Sequence, residues 1–319
     1  MGLVPGASSL SSVVGAVDIG GTKIAAGVVD ANGSVLARRE CPTDAARGYH
    51  DALARICSML RAGVEESGRS IDGIGIGSTG PVDPFTGVIG KLDFLPGWEG
   101  SPLVDDLARE FRLSVTMEND ADAAALGEAG WGAGRSKSRL VYVTVGTGIG
   151  VGIIIDGGLY RGADGAHPEI GHHVIDPNGP LCSCGARGCW ESLATGPAME
   201  QWLSRNAPPD YPYRDGLTAR RICELAREGD PVACRAVERE ARYMGIGVAN
   251  LVTLFVPDAI VLGGSVIRSV DLFLDTIHDT IRRHCGYVPF EKTAIELASL
   301  GLEANLIGAA RVWHHRFVR

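Results

Sequence analysis

No apolar run in this sequence is long enough to cross a bilayer. The most apolar stretch, Val141–Ile155, is broken by threonine and glycine and ends at Asp156, short of the roughly 20 residues a membrane helix needs. Positive charge is scarce: 30 Lys and Arg against 38 Asp and Glu give a net charge of −8. That argues against a nucleic-acid binder, which needs a basic surface. It leaves small anions open, because backbone amides and Mg²⁺ bind those inside an acidic protein. Residues 1–12 hold no Lys or Arg, so the expectation is a chain without a secretory signal, working in the cytoplasm. With 45% hydrophobic and 21% charged residues the composition is that of a folded chain. Its 319 residues suggest two domains.

Glycine abounds, with 44 residues, many in short clusters. After a Gly/Ser-rich stretch at Met1–Ser12, expected to be a loose tail, Val13–Ile19, Ile24–Val29 and Val35–Cys41 read as strands with tight turns at Gly20-Gly21 and Asn32-Gly33. A helix over Tyr49–Ser67, a strand at Ile71–Gly77, a helix over Pro102–Phe111, a strand at Val115–Glu118 and a helix over Ala121–Gly130 follow. Then the pattern restarts. Leu140–Val145 and Gly150–Ile155 are strands, and a Gly/Pro/Cys-rich loop covers 157–190. Helices are expected near 195–206, 218–228 and 231–254. A strand at Ala259–Leu262, a helix at Phe273–His284, a strand at Ile295–Leu297 and a closing helix at Asn305–Phe317 complete the chain.

The restart reads as an internal duplication. VGAVDIGGTKIAAGVVD (Val14–Asp30) and LVYVTVGTGIGVGIIID (Leu140–Asp156) each have 17 residues and align without gaps, Gly20 against Gly146, an offset of 146 − 20 = 126. Two facing α/β lobes would place both glycine turns at one cleft.

Each glycine turn suits phosphate. In Asp18-Ile19-Gly20-Gly21-Thr22-Lys23 the glycines let a ligand approach backbone amides. Thr22 adds a hydroxyl and Lys23 a cation, while Asp18 is placed to hold Mg²⁺, directly or through water. Gly146-Thr147-Gly148 offers a second nest, and Gly263-Gly264 a third close approach, suited to the nucleoside. None of the three fits the P-loop or the Rossmann spacing.

Of eight cysteines, Cys41, Cys57, Cys223, Cys234 and Cys285 stand singly and read as reduced core residues. Cys182, Cys184 and Cys189 are clustered, and His172 lies upstream; one imidazole and three thiolates make a closed, structural zinc shell. Gly185 and Gly188 let the loop fold back. His173 is an alternative to His172. Asp120, in Glu118-Asn119-Asp120, is either a helix N-cap or a base that accepts a proton from a substrate hydroxyl oriented by Asn119. Glu169 and Glu191 flank the zinc shell and suit polyol recognition, with surface carboxylates as the alternative.

These pieces together resemble the ROK family (repressors, open reading frames and sugar kinases), and within it the bacterial glucokinases. The motifs are DIGGTK at 18–23, STGPVD at 78–83, LPGW at 95–98, END at 118–120, GTGIG at 146–150, PEIGH at 168–172, CSCGARGCWE at 182–191 and LGG at 262–264. The resemblance implies an α/β, two-lobe, actin-like (ribonuclease H-like) ATPase fold with an internal duplication and a central cleft. One lobe would span 1–124 with the closing helix at 304–319, and the other 125–303 with the zinc loop. It implies Asp120 as catalytic base, and Gly80, Asn119, Glu169, His172 and Glu191 as sugar contacts. Asp18, Gly20, Gly21, Thr22, Lys23, Thr147, Gly148, Gly263 and Gly264 would serve ATP and Mg²⁺; His172, Cys182, Cys184 and Cys189 would hold structural Zn²⁺. The implied reaction is ATP-dependent phosphorylation of a hexose, D-glucose at O6 first, with another family sugar or a non-catalytic sensor as alternatives. A homodimer or homotetramer is the implied assembly. The family's regulators carry a helix-turn-helix ahead of the first motif; only 17 residues precede Asp18, so DNA binding is not expected.

Overall fold

The computed structural model describes residues 12–214 and 216–318. The tail expected at Met1–Ser12 lies, up to residue 11, outside the described residues. The chain divides into two compact units: the first takes the chain up to Ser136, Leu159–His167 and Ser299 onward; the second takes Lys137–Gly158 and Pro168–Ala298.

In the first unit, β1 (Val14–Ile19), β2 (Lys23–Val29) and β3 (Val35–Pro42) form an antiparallel meander. Helix α1 (Tyr49–Ser67) crosses over to β4 (Gly73–Ser78), parallel to β1. A small hairpin, β5 (Val82–Asp83) with β6 (Val88–Ile89), precedes α2 (Leu103–Phe111), β7 (Ser114–Asn119) and α3 (Asp120–Trp131). The sheet order is β3-β2-β1-β4-β7. Strand β1 is central, and all its residues except Asp18 are buried, so it shows no alternation of polar and apolar residues. The LPGW motif contributes Leu95 and Trp98 to this unit's core, where Trp98 meets Tyr49 edge-on at 5.9 Å.

The second unit repeats the plan with β8 (Leu140–Val145), β9 (Ile149–Ile155) and β10 (Gly158–Leu159). A long loop and four helices follow: α4 (Trp190–Leu193), α5 (Gly196–Asn206), α6 (Ala219–Arg227) and α7 (Pro231–Phe255). Then come β11 (Ala259–Gly263), α8 (Leu274–His284) and β12 (Ala294–Leu297). The order β10-β9-β8-β11-β12 matches the first sheet strand for strand, as duplication requires. The gapless alignment needs one correction: Ile19 pairs with Ile24 across four residues, but Val145 pairs with Ile149 across three. The second turn is one residue tighter.

Helix α9 (Ala304–Phe317) belongs to the first unit and packs on α3 and β4. A methyl group on Gly308 would lie 2.4 Å from the Ala123 carbonyl oxygen, so the helices touch backbone to backbone. The division therefore falls after Ser136, beyond the boundary at 124 expected from the sequence, because α3 is continuous to Trp131. No helix among the described residues is long and apolar enough to cross a membrane.

Candidate functional site

The first unit gathers carboxylates where its central strands end. Asp18 sits one residue before the end of β1, in register with Ala25 on β2 and Gly77 on β4. Asp120 opens α3, directly after β7. Burial, and then the charge of Asp120, push the Asp18 carboxyl up to about 7, against a hydrogen bond from Asn305 and the charge of Lys23. A buried carboxyl whose proton affinity a neighbouring carboxylate raises marks a site with excess negative charge. A hard divalent cation answers that excess.

The cap of α3 is Asn119, not Asp120: Asn119 has non-helical φ −58° and ψ 150°, and its Oδ1 accepts from Ala121 N at 2.8 Å. Asp120 is the first helical residue; its Oδ1 also receives Ala121 N at 2.8 Å. Capping thus fixes Asn119, leaving its amide nitrogen as the group able to meet a ligand. Neighbouring acids are held from the segment Leu159–His167. Arg161 pairs with Glu118, and His167 Nδ1 lies 2.8 Å from Asp122 Oδ2. Burial still pushes the Glu118 carboxyl up, with Arg161 opposing it. Gly80 lies in the loop after β4 with φ +77°, packed against Leu92.

The first glycine turn is partly self-satisfied. Gly20 N donates to Lys23 O at 2.9 Å, and Thr43 braces the turn through Gly20 O and Thr22 O. Gly21 and Thr22 keep their amides for a ligand. Lys23, expected as a phosphate cation, pairs with Glu40 at 3.1 Å; a phosphate would have to compete for it.

In the second unit the other two glycine elements meet. Gly264, with φ +96°, stands so close to β8 that a methyl group on it would lie 2.3 Å from Val145 O. Ser265 then abuts Gly146. Gly146, Thr147 and Ser265 line a cavity of about 770 Å³ whose far wall is Glu200, Thr218 and Arg220. The helical wall carries no motif, so sequence reading missed it.

The loop before α4 brings His172, Cys182, Cys184 and Cys189 together, with their ligand atoms all within 4.8 Å of one another. His172 Nδ1 and Cys182 Sγ are 3.5 Å apart, as are the Cys184 and Cys189 sulfurs. A tetrahedral zinc shell, with bonds of about 2.0–2.3 Å, sets such ligand pairs roughly 3.4–3.8 Å apart, so the donors fit that ion. Gly188 has φ +70°, and a methyl group there would strike Asp176 O at 1.5 Å. Burial and its neighbouring thiols push the Cys189 thiol up to about 12; a bound cation would reverse that. His173 is committed elsewhere. Its Nδ1 faces Ile170 O at 2.6 Å, its Nε2 faces Asn250 Nδ2 at 3.2 Å, and its ring lies edge-on to Trp190.

Glu191 follows the cluster on α4. Its Oε2 accepts from Ile149 N at 3.0 Å, and its Oε1 lies 4.0 Å from His172 Nε2. One carboxylate thereby touches both the Gly146–Gly148 turn and the metal-loop histidine. Glu169 differs: its side chain is exposed, and its carbonyl accepts from His172 N. Among the single cysteines, Cys57, Cys223 and Cys285 are buried, but Cys41 is only partly so and Cys234 is exposed.

A profile of the ROK family matches residues 14–316. Glucokinase from Streptomyces coelicolor is 38% identical over 309 residues, covering 92% of this chain and 95% of its own. The ROK hexokinase of Thermus thermophilus superposes with a TM-score of 0.83 at 36% identity, covering 94% of this chain and 97% of its own. A ROK family glucokinase from Streptomyces griseus, solved in complex with glucose and AMPPNP, gives 0.79 at 37% identity, over 93% and 98%.

Proposed function

The chain belongs to the ROK family, and from that premise we propose that it transfers the γ-phosphoryl group of ATP to a hexose, at O6 of D-glucose. The observation that carries this reading is the pair Asp18 and Asp120, two carboxylates close enough for the charge of one to raise the proton affinity of the other. Support also comes from relatives named glucokinase along nearly the whole chain.

Phosphoryl transfer asks a protein mainly to position its reactants and to stabilise charge. Asp120 is the base. Its carboxylate orients the sugar hydroxyl, and takes its proton as the oxygen bonds to phosphorus and the bond to ADP breaks. Asn119, rigid because it caps α3, offers its amide to a neighbouring hydroxyl. Glu169 and Glu191 accept from the remaining hydroxyls, and His172, with Nδ1 turned to the thiols, donates its Nε2–H. Asp18 would hold Mg²⁺, whose charge would neutralise that of the phosphates. The free amides of Gly21, Thr22, Thr147 and Gly148 receive phosphate oxygens, and the cavity between the Gly146 turn, Ser265 and Glu200 takes the nucleoside.

His172, Cys182, Cys184 and Cys189 would hold zinc, and because a closed shell leaves no open position, the ion would supply placement and no chemistry to the transfer. That placement would run through His172, which presents Nε2 towards Glu191 while Nδ1 faces the thiols.

The test is ADP release measured across a panel of hexoses and amino sugars. Preference for glucose, with no ADP beyond background when sugar is omitted, is the expected result. Preference for an N-acetylated sugar would move the chain to another kinase of the family. Sugar binding without any ADP release would replace the kinase by a sensor.

A further inference from the structure

A second cavity in the second unit, also about 770 Å³, lies between α7 and α8 with Trp202 of α5 at its edge. Nothing in the proposed reaction uses it. Its wall is basic in a chain of net charge −8: Arg235, Arg239 and Arg242 come from one stripe of α7, and Arg283 and His284 from α8. Against them stand Glu238 and Asp279. Asp279 is already engaged by Arg282 and lies 4.0 Å from Arg283. Glu238 pairs with none of the three α7 arginines, and Arg235 and Arg242 make no hydrogen bond or ion pair among the described residues.

Arg239 is the built part of this site. Its side chain is only 17% exposed. The guanidinium lies over Tyr243 at 4.8 Å and near Trp202 at 5.9 Å. Of its five N–H donors one is used, from Nη1 to Leu193 O at 3.0 Å. The nearest carboxylate, Glu240, is 4.0 Å away and wholly buried, and burial keeps its proton on well above the usual range. A flat guanidinium fixed between two rings, with donors to spare, is suited to a tetrahedral or planar oxyanion.

Two bonds lead from this cavity towards the metal loop. Arg239 holds the last residue of α4, the helix that carries Glu191. Tyr243 donates its hydroxyl to Asp176 Oδ2 at 2.9 Å, and Asp176 O receives Gly179 N inside the loop.

We propose that this cavity is a second binding site, for a small phosphate monoester, read by Arg235, Arg239 and Arg242, and that its occupancy stiffens α4 and the metal loop. The binding half stands alone. The regulatory half rests on the reading of Glu191 as a sugar contact, since a stiffened α4 would then tighten the sugar.

The test uses the full chain in phosphate- and sulfate-free buffer, with glycerol 3-phosphate as the probe. It lacks a hexose ring and a nucleoside, so it does not mimic either substrate. Calorimetry is expected to show saturable binding that weakens by about tenfold in Arg242→Ala or Arg235→Ala, both exposed helix positions. An Arg220→Ala control in the first cavity should leave it unchanged. No saturable binding, or equal binding in all variants, overturns the site. Inorganic phosphate binding as tightly as the ester overturns the monoester assignment. Hydrogen exchange reads the coupling without any turnover. The probe should protect amides of 174–193 in the wild type but not in Tyr243→Phe, and binding without that protection overturns the coupling. A change of oligomeric state in Arg235→Glu/Arg242→Glu, with no phosphate binding by the wild type, would make the face an interface instead.

Discussion

Asp18 and Thr144 hold equivalent places, each one residue before the end of the central strand of its unit. Asp18 pairs with Ala25 and Gly77, and Thr144 with Gly150 and Gly263. The frames coincide, yet one carries an ionisable acid and the other a hydroxyl. The crossovers diverge further. In the first unit one helix, α1, leads from the meander to β4; in the second a metal loop and four helices fill the same step. On the proposed reading, the duplicated frame divides its labour: the base and Mg²⁺ carboxylates in one copy, the nucleoside cavity and the cysteine loop in the other.

The sharpest way to break this comparison is Asp120→Asn. Turnover should fall by roughly 10²–10⁴-fold, the usual contribution of a positioned base, while calorimetric sugar affinity stays near normal. Near-wild-type ADP release would remove the base from the first unit. Next is Cys184→Ser, which should lose both the metal, by elemental analysis, and sugar binding, because α4 starts directly after Cys189. Retained metal would contradict the cluster assignment.

A smaller effect is expected from Gly264→Ala. At φ +96° with Val145 O in the way, the change should cost about 1–3 kcal/mol of stability and weaken nucleotide binding more than sugar binding. Equal losses for both ligands would separate Gly264 from the nucleoside cavity.

The mildest test is the pH dependence of stability. Asp18 keeps its proton up to about 7 in the fold, whereas an unfolded aspartate releases it near 3.9. Between those values the native state binds more protons than the unfolded one, so Asp18 makes stability fall as pH rises through that window. Asp18→Asn should therefore raise the melting temperature of the ligand-free protein at pH 8 and change it little at pH 4, although it abolishes activity. Calorimetric scans at the two pH values decide it; an equal shift at both would mean that Asp18 is not destabilised by its surroundings.

What was legible in the sequence was local. Both hairpins, the folding back of the cysteine loop and the helix spans follow from neighbours along the chain, and the structure puts His172 with the three thiols. What was not legible depends on distant partners. Nothing beside Asp122 announces His167, and nothing in the α6 sequence announces that Thr218 and Arg220 face the Gly146 turn. The cap shifted by one residue, from Asp120 to Asn119, because either side chain suits a strand-to-helix junction. The motif alone makes Lys23 a phosphate ligand, whereas in the structure Glu40, on the neighbouring strand β3, holds it.

The close crossing of Gly308 over Ala123 also sets an order of events during synthesis. Helix α3 leaves the ribosome early, but the helix that covers it is made after everything in the second unit. Until then the alanine-rich face of α3 has no lid, and the strand ends that bear Asp18 and Asp120 lack Asn305. A nascent chain arrested before Ala304 should expose that face to proteases, and the acidic centre would mature only on release.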